Sequence, residues 1–141
     1  MQSTTEISQK GLNDMKELNI MEATVLTSPN PLTLICSKKE DGSTNLAPIC
    51  FVSYLSFNPP MVGFATGKQS HTGKRVRETG KVIVTVPVDT RLAMVATLQQ
   101  SVEVGDHILH ICQVDKFLGD EDKKGLYAWN GFGKVAPAVE G

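Results

Sequence analysis

A chain of 141 residues with a formal net charge of -1 has the length of one domain that buries its own core. Its 40% hydrophobic and 21% charged residues exclude an intrinsically disordered chain. The near-neutral balance excludes a general nucleic-acid binder, which needs a broad basic face, and no apolar stretch approaches the ~20 residues of a membrane span.

The N-terminus lacks the basic-then-apolar pattern of a signal peptide, so the expected location is the cytoplasm. Cys36, Cys50 and Cys112 are widely spaced, without a CxxC pair, and read as reduced thiols of such a compartment. Residues 1–20 read as a helical appendage: Ile7, Leu12, Met15 and Leu18 recur at roughly helical spacing over residues 5–18, although Gly11 weakens the helix. The remainder, 21–141, reads as a single domain.

Strands dominate from residue 31. Residues 32–37 are short, apolar and partly β-branched, and the Asp41-Gly42 pair supplies a hairpin turn. Residues 45–56 read as one longer returning strand, bent at Pro48 and stopped by Asn58-Pro59-Pro60, because proline cannot donate to a ladder. Residues 61–65 form a third strand. A helix follows over about 71–79, with Ser70 or Thr72 able to cap its start and Gly80 placed for a left-handed end. Residues 81–86 are strongly β-branched, ended by Pro87. Residues 92–98 read as a short helix or remain unassigned. Residues 107–114 form another strand, and 126–129 with 132–135 form a last hairpin around Asn130-Gly131. Six or so short strands with one or two short helices predict a mainly β fold, a small antiparallel barrel.

Three segments carry chemistry. Residues 67–80 set Lys68, Lys74, Arg75 and Arg77 against the single acid Glu78. Their hydroxyls and helix start are the donor types that hold a phosphate, and they read equally as the solvated basic face of a helix. No Walker A loop is present. Residues 45–60, NLAPICFVSYLSFNPP, offer a flat wall at Ala47, Pro48 and Cys50 for a planar ring; the plainer reading is an edge strand with a proline bulge and a buried Cys. Gly105-Asp106-His107 places a histidine at a turn, where it can face a pocket. His110 lies on the opposite side of that strand and shares a face with Cys112, too few ligands for a structural zinc. No motif for nucleophilic or metal hydrolysis occurs, and no GxGxxG.

Together these segments resemble the flavin reductase-like family of FMN-binding split barrels, which includes the flavoredoxins. The resemblance is carried by the 40s hairpin with its N-x-A-P, the later N-P-P, the K-x-x-H-T helix start and G-D-H, over residues 31–135. It implies a split barrel with an FMN in a cleft at a homodimer interface, receiving hydride from NADH or NADPH. It also implies roles for single residues. Asn45, Ala47, Pro48, Ile49 and Cys50 line the ring and ribityl chain; Lys68, Ser70, His71 and Thr72 hold the phosphate; His107 and Cys50 stand at the reacting side. Residues 87–105 are shorter than the family's usual excursion over the flavin. That leaves room for a second reading, a non-enzymatic FMN electron-transfer or flavin-carrier protein served by a protein donor.

Overall fold

A computed structural model describes residues 11, 13–87 and 90–137. Among these residues ten strands build two antiparallel sheets, accompanied by helices over Ile20–Leu26 and His71–Thr79. Helix α1 (Ile20–Leu26) is followed by β1 (Asn30–Pro31), β2 (Thr33–Lys38), β3 (Thr44–Ile49), β4 (Val52–Phe57) and β5 (Pro60–Gly67). Helix α2 (His71–Thr79) then leads to β6 (Lys81–Val86), β7 (Leu92–Val104), β8 (His107–Gly119), β9 (Leu126–Ala128) and β10 (Val135–Pro137).

The main sheet has the order β3-β2-β6-β7-β8-β5-β4, and β1-β9-β10 form the smaller one. The consecutive strands β3 and β4 therefore occupy opposite edges of the seven-stranded sheet. The sheet curls until only Cys50 and Phe51 separate those edges, and the Ala65 N–H on β5 donates to the Phe51 carbonyl at 2.8 Å. The result is the mainly β split barrel expected from the sequence, open rather than closed into a full ring of strands.

Several sequence expectations change. Residues 45–56 are not one bent strand: the chain breaks at Cys50-Phe51 and changes sheet edge there. Residues 92–98 are not helical; they begin a 13-residue strand paired on one side with β6 and on the other with β8. In the closing hairpin Phe132 lies in the turn, and the second strand starts at Val135. Of the expected helix over 5–18, Gly11 and Asn13 are helical, residues 5–10 and 12 lie outside the described residues, and Lys16 to Asn19 have no regular structure. Helix α1 starts at Ile20, where Asn19 and Glu22 form a reciprocal capping box.

The core sits between the curled sheet and α2. Ile35, Val62, Phe64, Val76, Val84 and Cys112 are almost fully buried, each large side chain contributing roughly 1.5–3 kcal/mol. Val76 carries α2 into this core. Among the described residues no helix is long and apolar enough to cross a membrane, and no group of potential ligands is clustered to hold a metal.

Candidate functional site

Helix α2 begins where the sequence places it because its start is fixed locally. The Ser70 hydroxyl accepts the N–H of Gly73 at 3.1 Å, and Gly80 adopts φ 71° to end the helix. The N–H groups of His71 and Thr72, in the first turn, have no acceptor among the described residues, as expected where an α-helix leaves its first donors unpaired. Thr72, Gly73 and Val76 form the buried face. Gly73 permits a close approach, since a Cβ there would overlap Thr66 Oγ1 and come within 3.1 Å of His110 Nε2.

β3 runs beside this helix start. Asn45, at its beginning, donates through Nδ2 to Thr72 Oγ1 at 2.9 Å. Asn45, Ala47 and Ile49 alternate inward along the strand, whereas Leu46 and Pro48 are exposed. From Asn45 to Ile49 the strand covers about 13 Å at its usual rise. Its far end opens on a cleft of about 420 Å³, lined by Pro48, Ile49, Cys50 and His107 of the expected residues. Ala65, Thr66 and Gly67 lead from that cleft toward Ser70, and the Lys68 N–H donates to the Asp106 carbonyl at 3.2 Å. The β5–α2 loop and the β7–β8 turn are thus joined beside the cleft.

The expected phosphate holders divide into two groups. Ser70 and Thr72 belong to the packed helix start, with Asn45 beside them. Lys68 and His71 flank it and face carboxylates: Lys68 is ion-paired with Glu103, and His71 Nε2 lies 3.2 Å from Glu40 Oε1. The Lys68 bond holds the Glu103 carboxyl below the usual carboxylate range. Arg75, expected to face solvent, is instead mostly covered. Its Nε donates to the Lys38 carbonyl at 2.7 Å and its guanidinium meets Glu78, tying α2 to the β2–β3 hairpin.

At the ring end, His107 Nδ1 lies 2.8 Å from Asp106 Oδ1, a contact that pushes the Asp106 carboxyl down. The His107 ring packs on Phe51 at 5.0 Å between centroids, and Phe51 meets Phe132 edge-on at 5.3 Å. Burial pushes the Cys50 thiol above its ordinary value, so at neutral pH it is a protonated, weakly nucleophilic group.

Sequence reasoning missed Phe51, Thr66, Phe132 and Val135 as cleft residues. Phe51 had a signal, since it follows the small-residue run ending at Cys50. Phe132 and Val135 had only the Asn130-Gly131 turn before them; they reach the cleft through long-range ties, with Asn30 Nδ2 donating to the Gly131 carbonyl and Gly131 N–H to Ser28 Oγ. A second cavity of about 310 Å³ lies between the two sheets behind Leu32, which it shares with the cleft. Its wall is mainly apolar and contains none of the expected site residues.

Comparison with known proteins gives this geometry a context. Residues 25–96 match the flavin reductase like domain, a span covering β1 to the first strand turns of β7 and including the whole start of α2. The fold is similar to flavoredoxin from Methanosarcina acetivorans (TM-score 0.76, 16% identity, 90% of this chain and 92% of that one). It is also similar to the styrene monooxygenase flavin reductase of Pseudomonas putida S12 (0.75, 13%, 87% and 99%). A third similar structure is an FMN-binding protein from Thermus thermophilus with bound 1-cyclohex-2-enone (0.75, 14%, 91% and 97%). At these identities the likeness is one of fold.

Proposed function

This chain belongs to the flavin reductase-like family, a family of oxidoreductases, and we propose that it is an FMN-dependent NAD(P)H:flavin oxidoreductase whose phosphate site is the start of α2. The carrying observation is the conjunction of two features at one place. Unpaired N–H groups and the Ser70 and Thr72 hydroxyls converge at the first turn of α2, a donor set suited to a phosphate. One strand length away lies a concave cleft of about 420 Å³, within the range of cofactor sites.

When bound, the flavin supplies the acceptor for a hydride leaving NADH or NADPH, and the protein supplies position and electrostatics. Asn45 fixes the Thr72 hydroxyl. Pro48, Ile49 and Cys50 form the wall for the ring. His107, oriented by Asp106 and packed at a tilt against Phe51, stands where a nicotinamide or another electron partner approaches. Cys50 acts as wall rather than nucleophile. Nothing in this arrangement requires a general base, because hydride transfer is governed by placement of the two rings.

A homodimer is part of the reading. Leu46 (57% exposed), Tyr54 (58%) and Phe57 (95%) leave the two edge strands of the main sheet with apolar side chains in solvent, a surface suited to a second copy. The open ring end, where Phe51 is 45% exposed, favours the second reading: an FMN electron carrier that meets a protein partner instead of a nicotinamide.

The test is a flavin titration followed by anaerobic addition of NADH or NADPH. Uptake of FMN in preference to FAD, with bleaching of the visible flavin band by a nicotinamide, is the expected result. FMN uptake without bleaching by either nicotinamide would select the carrier reading, and failure to take up any flavin would overturn both.

A further inference from the structure

His110 is the one fully buried histidine of the described chain, with 0% exposure, and nothing in the proposed reaction uses it. It sits on β8 beneath the start of α2. Its Nε2 lies 2.9 Å from Thr66 Oγ1 on β5, and its Nδ1 lies 3.3 Å from Ser101 Oγ on β7. The ring packs on Phe64 at 5.0 Å between centroids. Gly73 of α2 covers the same spot so closely that no side chain fits between.

The elements around the ring leave it without a counter-charge. On α2 the guanidinium of Arg77 is the charged group felt at the ring, and it repels a second positive charge; burial acts more strongly in the same direction, lowering the histidine to about 4. On β7, Glu103 is engaged with Lys68. On β8, His107 faces the other side, and Cys112, two residues on, is a neutral thiol pushed up to about 12 by burial. β5 brings only Thr66 and Phe64. The ring is therefore neutral at physiological pH, with one nitrogen donating and the other accepting.

We propose that His110 is a positioning residue for the cofactor's phosphate: as the Nε2–H tautomer it donates to Thr66 Oγ1, accepts the Ser101 hydroxyl at Nδ1, and so leaves the Thr66 hydrogen free for an anion at the start of α2. The inference rests on the FMN reading above. Two facts place Thr66 for this role. Thr66 Oγ1 has no other hydrogen-bond partner among the described residues, so its remaining capacity is available. Thr66 also lines the cleft and lies against Gly73, whose N–H is the one Ser70 caps. In the opposite tautomer the Thr66 hydrogen is spent on Nε2, and the first turn of α2 faces a lone pair, which repels an anion. The relay runs Ser101 to His110 to Thr66, and each hydroxyl donates once.

Affinities for FMN and for riboflavin, which lacks the phosphate, separate this role from simple support of the fold. Thr66→Val and His110→Leu are expected to weaken FMN by about tenfold or more, the scale of a hydrogen bond to a charged group, and to change riboflavin binding by less than about twofold. His110→Gln places an amide N–H near the Nε2 position and is expected to retain FMN affinity within about threefold. In wild type loaded with FMN, ¹⁵N spectra of the ring are expected to show Nε2 protonated and Nδ1 bare from pH 5.5 to 8, a readout independent of whether the variants fold. Equal losses for FMN and riboflavin, an unchanged FMN affinity in Thr66→Val, or a proton on Nδ1 would each overturn the inference. A wild-type protein that binds neither flavin would instead overturn the function reading on which it rests.

Discussion

The two ends of the candidate site are built differently. The α2 end is a packed polar node: Ser70 caps the helix, Asn45 fixes Thr72, and Thr66, His110 and Ser101 are linked beneath Gly73. Its side chains are held by one another, and Thr66 and His110 at its base are buried, with Ser101 at the surface end of the chain of contacts. The ring end is an open apolar corner, where Phe51 comes from the β3–β4 junction and Phe132 and Val135 from the closing hairpin, and each is more than a third exposed. A phosphate needs fixed donors, whose misplacement is costly. A ring needs a flat wall, which several apolar side chains supply and which a second protomer or an electron partner can complete. Substitutions at the α2 end should therefore cost stability and affinity together, whereas those at the ring end should cost mainly affinity.

The largest expected effect is at Gly73. Its Cβ in Gly73→Ala would collide with Thr66 Oγ1 and crowd His110 Nε2, and overpacking of this kind costs roughly 1–3 kcal/mol. Urea unfolding should show that loss, and flavin binding should fall with it. An unaltered midpoint would mean that the node is looser than its distances imply.

The pH dependence of stability comes next. The unfolded chain protonates a histidine near 6.5, whereas folded His110 holds out to about 4. Between those values the unfolded state binds more protons, so stability falls as pH falls through this window and is fully present above it. At 1.36 kcal/mol per unit, the effect reaches at most about 3 kcal/mol. His110→Gln should remove that slope. The exposed carboxylates Glu40, Asp41, Glu103 and Asp106, all held low by hydrogen bonds, lose their contribution further down, below the ordinary carboxylate range. A slope over pH 6.5–4 that survives the substitution would place its source elsewhere.

At the ring end, Phe51→Ala removes the face on which His107 packs. An aromatic pair is worth about 0.5–1.5 kcal/mol, so flavin affinity should weaken by roughly two- to tenfold with little change in the unfolding midpoint. A large stability loss instead would erase the contrast between the two ends. The smallest effect concerns the thiols. Burial raises all three, Cys112 to about 12, so alkylation near neutral pH should be slower than for a free thiol, slowest at Cys112. Rapid labelling of Cys50 would reopen a nucleophilic role for it.

The α2 end was largely legible in the sequence because its determinants are local: the Ser70 cap, the Gly80 stop and the alternation of buried and exposed helix positions fall within eleven consecutive residues. The ring end was only half legible. Residues 45–56 form a continuous β-prone run, and nothing within it announces that the strand must part at Cys50-Phe51; the two sheet edges decide that. Residues 92–98, LAMVATL, carry helix-forming Leu, Met and Ala, yet pairing with the β-branched β6 and with β8 overrides that preference. Thr66, His110 and Ser101 are 44 and 9 residues apart in pairs, a separation that no motif reports.

The central claim is that the start of α2 receives the phosphate of FMN. Fluorescence titration of FMN against wild type and a Lys68→Ala, Thr72→Ala double variant tests it most directly. The account predicts quenching on binding to wild type, and affinity at least about tenfold weaker in the double variant, the scale of one or two charge-assisted hydrogen bonds. Equal FMN affinity in the two proteins would contradict it.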